Sequence, residues 1–374
     1  MVSRQGTLTL SRHAPGLLNL AALLVVTIGV AVALTAYLVR RDPAPPVPPP
    51  APAPYRVLFQ QGSQLQSIGP QGQSQELGIG VPSATATGLN LWPGDRGIVV
   101  ASSAPDSSSL YLIRGPGQPA ETLPFPPPSY GPGPWRVAAA TWSDASHVVV
   151  LLANAHASGG GIVAKYAVDR SPAQAVAWLH LPRHDALAAL SPDGLQVARV
   201  DSLPRTQGFA PQILIRLLQI AGTGDSVVLQ YLGAQPPQAI AWSPDGHALA
   251  IQVPNQGLAI QTASGQRIRF VPDAAGLSAF SPRGATQLAY ITWSSRAWQV
   301  NVLRLQRNTS TVFTPPTAAA PTGLAWTPDA RALIYVAGNS VWQVDPSTGT
   351  STKLAGAVHG KLIGVFPASA PFAR

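Results

Sequence analysis

This sequence predicts an all-β fold, a β-propeller of seven four-stranded blades, preceded by one transmembrane helix. Three observations carry the propeller. A turn phrase recurs at steps of 38 to 52 residues, several β-rich runs fit within each step, and no helical period of apolar residues intervenes. Composition agrees: Gly 34 and Pro 39 supply turns, while hydrophobic residues at 46% can build a large core. Charged residues are only 10%, so the solvated faces of many surface helices would be short of side chains. Cys 0 excludes disulfides, thiolate metal sites and a cysteine nucleophile.

After a short tail, residues 1–16, the run Leu17 to Val39 carries no charge over 23 residues. As a helix it would span about 34 Å at ~1.5 Å per residue, enough for a ~30 Å hydrocarbon core. It is read as a membrane anchor. The alternative is a cleaved signal peptide with a small-residue site near Ala31-Val32-Ala33 or Ala36, followed by secretion. Arg4 and Arg12 before the run balance Arg40 and Arg41 after it, so charge does not orient it. A long domain behind one N-terminal anchor is expected on the extracytoplasmic side. Residues 40–54 form a linker, in which PAPPVPPPAPAP favours extended polyproline and bars helix. The propeller domain is placed at 55–374.

The clearest copy of the phrase is Trp242-Ser243-Pro244-Asp245-Gly246, followed by the apolar run Ala248–Ile251. Other copies centre on Trp92, Trp142, Leu190, Phe280 and Trp326. Proline pre-sets φ, aspartate tolerates the next turn position, and glycine supplies positive φ where the chain re-enters a strand. Each copy should therefore open a hairpin, with a second hairpin behind it, as in Leu258–Thr262 with Arg267–Val271. Three strands without a leading phrase, Arg56–Gln60, Gln64–Ile68 and Ser74–Ile79, precede the first copy. One unpartnered strand, Lys361–Phe366, follows the last. Joining three to one makes a shared closing blade and a count of seven, with six or eight as the neighbouring counts.

These phrases make the chain resemble the WD40-like repeat of TolB-type propellers, with the best match at Trp242–Gly246 and Ser191–Gly194. The resemblance implies an envelope protein that binds partners. TolB also carries an α/β domain before its propeller, and residues 1–54 are too short and too apolar or Pro-rich for one.

The aspartate column, including Asp193, Asp245 and Asp329, reads as turn carboxylates accepting local backbone N–H groups, since blade symmetry scatters it around a ring. The tryptophan column should pack between blades. His180, His184 and Asp185 form one ionisable cluster, but Pro182 breaks the helix that would align them as zinc ligands. No metal or cofactor is assigned. No Gly-x-Ser-x-Gly elbow, Walker loop or dinucleotide fingerprint occurs, and only two glutamates exist. The expected function is non-catalytic binding of a protein or an anionic envelope polymer. The alternative is a propeller lactonase or glycan-active hydrolase using the central channel. Nucleic acid is disfavoured, because no basic cluster with interleaved aromatics stands out. The binding face is expected where repetition stops. Leu123–Trp135 brings Tyr130 and Trp135, Asp201–Gln212 reads as an insertion carrying Arg205 and Phe209, and Arg136, Arg183, His184 and Arg296 should approach the same rim.

Overall fold

The runs rich in Val, Ile, Leu and Ala become strands, which assemble as seven antiparallel sheets of four. The computed structural model describes residues 54–61, 64–78, 89–94, 97–103, 108–115, 118–125, 135–154, 161–169, 171–180, 185–203, 211–220, 224–233, 235–356, 358 and 360–368. The Leu17–Val39 run and the Pro-rich linker up to Ala53 lie outside these. Among the described residues no helix is long and apolar enough to cross a membrane.

The first blade combines β1 (Tyr55–Gln61), β2 (Gln64–Ile68) and β3 (Ser74–Gly78) with the last strand of the chain, β28 (Lys361–Pro367). The second holds β4 (Leu89–Gly94), β5 (Gly97–Ser103), β6 (Ser108–Ile113) and β7 (Glu121–Thr122). The third holds β8 (Trp135–Asp144), β9 (His147–Asn154), β10 (Gly161–Ala167) and β11 (Gln174–His180). β12 (Asp185–Leu190), β13 (Gln196–Leu203), β14 (Gln212–Gln219) and β15 (Asp225–Leu232) form the fourth. β16 (Ala239–Trp242), β17 (Ala248–Val253), β18 (Gly257–Thr262) and β19 (Arg267–Pro272) form the fifth. The sixth is β20 (Ala274–Phe280), β21 (Gln287–Ser294), β22 (Ala297–Arg304) and β23 (Thr309–Phe313). The seventh is β24 (Gly323–Trp326), β25 (Leu333–Ala337), β26 (Ser340–Val344) and β27 (Ser351–Ala355).

The first strands of successive blades touch all the way round, from β4 to β24, with β28 closing the circle. The three-plus-one closure expected from the sequence is thus observed: Tyr55 pairs with Pro367 and Val57 with Val365. Closure gives β1 a partner on both edges, which removes an aggregation-prone template.

The core lies between blades. The second strand of the fifth blade, Ala248–Val253, is buried at every position, as a strand covered on both faces must be. Its Leu249 and Ile251 pack towards the fourth blade, while Ala248 and Ala250 pack towards the sixth. Each such Leu or Ile contributes about 1.5–3 kcal/mol of burial.

Antiparallel order divides the connections between two rims. First-to-second and third-to-fourth strand turns emerge on one, here the turn rim. Second-to-third connections and blade-to-blade crossings emerge on the other, the loop rim. One expectation needs correction. Asp201–Gln212 is not a loop throughout, because Asp201 pairs with Leu214 and Leu203 with Gln212 inside the sheet. Asp201 lies 3.3 Å from Arg199 and 3.0 Å from Arg216, and that ion pairing draws the polar segment into the strand.

Candidate ligand-binding rim

The turns that set the rims behave alike in three blades. In Ser243-Pro244-Asp245-Gly246 the Gly246 N–H donates to the Ser243 carbonyl at 2.9 Å, with Gly246 at φ +70°. The Ser243 hydroxyl and the His247 N–H both donate to Asp245 Oδ1, at 2.6 and 3.1 Å. Asp193 takes the same pair of bonds from Ser191 and Leu195, and Asp329 from Thr327 and Arg331. Burial alone would raise the Asp245 pKa, but the bonds from Ser243, Ala285 and His247 outweigh it and hold it below 3.8. Asp144 is held well below the usual carboxylate range, chiefly by the Ser146 hydroxyl and N–H. The aspartate column is structural, as the turn chemistry requires.

The tryptophans fasten blade to blade. Trp142 Nε1 donates to the Trp92 carbonyl at 3.3 Å, Trp242 Nε1 to Ala189 at 3.2 Å, and Trp326 Nε1 to Ala279 at 2.9 Å. Every acceptor lies on the first strand of the preceding blade. Leu190 and Phe280, which stand in the same column without an N–H, pack by area alone at the interfaces of blades three with four and five with six.

On the loop rim the structure places three of the eight predicted binding residues. Trp135 and Arg136 open β8, opposite Asn154 and Ala153, with Trp135 half-buried and Arg136 exposed. Arg296 is exposed at the tip of the β21–β22 hairpin. Tyr130, Arg183, His184, Arg205 and Phe209 lie outside the described residues.

The hairpin bearing Arg296 holds two aromatic residues that the sequence reading passed over. Trp293 pairs across the ladder with Trp298, their rings edge-on with centroids 5.0 Å apart. Trp293 is 49% exposed. The turn between them is only Ser295-Arg296, both in the left-handed region at φ +52° and +64°. Two-residue turns of this hand match the twist of the flanking strands. The signal was present as Trp-x4-Trp flanking a polar pair, without the usual Asn-Gly.

A second feature of this rim is a cleft of about 360 Å³ between the fourth and fifth blades. Tyr231, Gly233, Gln235, Pro254, Asn255 and Gln256 line it. The Tyr231 hydroxyl donates to the Gln235 carbonyl at 2.9 Å, and burial pushes its pKa up to about 12. The lining is uncharged at neutral pH. No group of three or more metal-ligating side chains occurs among the described residues.

No protein-family model and no curated protein sequence matches this chain. Solved structures do. A candidate 6-phosphogluconolactonase from Bacteroides fragilis is 15% identical, covering 85% of this chain and 99% of that one, with TM-score 0.52. An oligogalacturonate lyase from Vibrio parahaemolyticus is 9% identical, covering 80% of this chain and 84% of that one, also with TM-score 0.52. A structure described as TolB from Agrobacterium tumefaciens is 17% identical, covering 60% of this chain and 82% of that one, at TM-score 0.37. The first two agree with the seven-bladed propeller and bear on fold alone. The TolB match is too low in score to carry an argument.

Proposed function

We propose that this chain is a binding propeller without catalysis, presenting its loop rim to a protein or an anionic envelope polymer. The observation that carries the reading is the Trp293–Arg296–Trp298 hairpin. An exposed indole braced by a second indole, beside an exposed guanidinium, combines residue types that dominate interface energy. A short hairpin also presents them at low entropic cost. Trp135 and Arg136 repeat the pairing at the start of β8.

Topology supports the choice of rim. Pro54 and Ala368 meet on the turn rim, where the Ala368 N–H donates to the Pro54 carbonyl at 2.9 Å. Pro54 therefore lies on the side away from the hairpin tips. With Leu17–Val39 as an anchor, the protein is a single-pass envelope protein with an extracytoplasmic propeller. Cleavage after that run would make it secreted.

The test is affinity capture from the native envelope extract, comparing wild type with Trp293→Ala, Arg296→Glu and Arg136→Glu. Loss of the captured partner in these variants, with Asp193→Asn and Asp329→Asn unaffected, supports the loop rim. Equal loss on the turn rim overturns it. The competing reading, a lactonase or glycan-active hydrolase using the central channel, would be favoured by turnover of lactones or glycans that survives all three loop-rim changes.

A further inference from the structure

The propeller's charge is concentrated in one sector. Residues 55–374 hold 20 basic and 14 acidic residues, a net of +6. Residues 246–328, which make up most of the fifth and sixth blades, hold six arginines and one aspartate, a net of +5. Five of those arginines gather on the turn rim. Arg267 opens β19 directly after a third-to-fourth strand turn, and Arg269 follows it. Arg304 closes β22, Arg307 sits in the turn beyond it, and Arg283 occupies the first turn of the sixth blade. The Arg269 guanidinium reaches the Asn308 carbonyl at 3.5 Å, which joins the two blades into one patch.

Three arginines elsewhere in the fold meet carboxylates: Arg114 with Glu121, and Arg199 and Arg216 with Asp201 and Asp225. Arg267, Arg304 and Arg307 form no ion pair among the described residues. The single acid of the sector, Asp273, lies just past the far end of β19, on the loop rim. Nearby Asp245 is taken up by its own turn and by Ala285. Apolar side chains are exposed along β19, where Ile268 follows Arg267 and Phe270 follows Arg269, at 39% and 40%. On the fourth blade, Leu195 in a turn of the same rim and Val227 near the start of β15 are 54% and 43% exposed.

We propose that the turn rim of the fifth and sixth blades docks on an anionic lipid bilayer. Guanidinium groups interleaved with exposed aliphatic and aromatic side chains suit a surface with phosphate headgroups above an acyl boundary. A dissolved polyanion would satisfy the arginines but leave Ile268 and Phe270 without a role. Pro54, the first described residue, lies on this rim, and the sequence before it includes the apolar run Leu17–Val39. This surface is separate from the loop rim, so its failure would leave the partner-binding reading untouched.

The experiment is vesicle co-sedimentation with residues 52–374, a compact unit that carries every described strand and its own closure. Vesicles are phosphatidylcholine alone or mixed with phosphatidylglycerol, at low and high salt. Binding is expected only to the phosphatidylglycerol vesicles, and should weaken with salt. Replacing Arg267, Arg269 and Arg307 together by Gln should weaken it about a hundredfold, as each surface cation contributes about 1 kcal/mol. Phe270→Ser should weaken it further, while Arg136→Gln and Arg296→Gln on the other rim should not. Failure to bind phosphatidylglycerol vesicles, equal binding to phosphatidylcholine, or equal loss from the loop-rim variants overturns the proposal. So does full competition by soluble polyphosphate with Phe270→Ser silent, which would identify a polyanion site instead.

Discussion

Asp245 Oδ2 accepts the Ala285 N–H at 2.9 Å across the gap between the fifth and sixth blades. In other copies of the turn, the N–H two residues beyond the aspartate is accepted by that aspartate itself. The sixth blade has Arg283 at the aspartate position, so its Ala285 N–H would be left without a carboxylate. The preceding blade supplies one. Gly284 makes the approach possible, since a Cβ there would lie 2.2 Å from Asp245 Oδ2 and the residue sits at φ +81°. Arg283 in turn donates to the Asp329 carbonyl of the seventh blade at 3.1 Å. One Asp-to-Arg departure in the repeat thus links three blades.

Asp245→Ala should therefore cost more than its counterpart Asp193→Ala. A single local hydrogen bond is worth about 1 kcal/mol, while loss of a charged acceptor serving several donors should cost about 2–3 kcal/mol. Gly284→Ala should be destabilising alone, and less so in an Asp245→Ala background where the clash is gone. Urea unfolding of the four proteins in this cycle measures the coupling. Additive costs would show that the two residues do not meet.

The same carboxylate makes stability depend on acid pH. Its folded-state pKa lies below 3.8, so the folded state binds fewer protons than the unfolded chain as pH falls. Its contribution is complete above the unfolded value and disappears as pH drops through the folded one. Thermal melts between neutral and acid pH should show a shallower decline for Asp245→Asn than for wild type.

Trp242→Phe should cost about 1 kcal/mol, for a half-buried Ala189 carbonyl left without its indole donor. Trp242→Ala should cost about 3–5 kcal/mol through the lost packing as well. Chemical denaturation distinguishes the two. If Phe and Ala cost the same, the indole N–H contributes nothing.

Ala330 occupies the turn position held by glycine at 194 and 246, with φ +56°. A Cβ in that conformation costs about 1 kcal/mol. Ala330→Gly should stabilise the protein by about 0.5–1 kcal/mol, read as a raised midpoint in denaturant. A lowered midpoint would mean that the greater freedom of glycine in the unfolded chain dominates.

Removing residues 359–374 takes away β28 and leaves β1 with an open edge. The shortened domain should aggregate, while removing only 369–374 should leave it monomeric. Light scattering during heating decides this. An unchanged, monomeric shortened domain would show that closure is not needed.

Sequence alone carried the repeat, the hairpins and the three-plus-one closing blade. These follow from local turn chemistry and antiparallel connectivity, which short windows of sequence carry. It also placed the tryptophan column between blades, because a large residue beside an inner-strand turn has nowhere else to be covered. What it could not supply were relations between residues tens of positions apart. The sharing of Asp245 with Ala285, the indole bonds to Ala189 and Ala279, and the pairing of Asp201 with Arg199 and Arg216 depend on how neighbouring blades and strands meet. The Trp293–Trp298 pair was passed over because Ser295-Arg296 lacks the glycine that usually marks so tight a turn. Only the assembled hairpin, with strand twist holding both residues at positive φ, brought the two rings together.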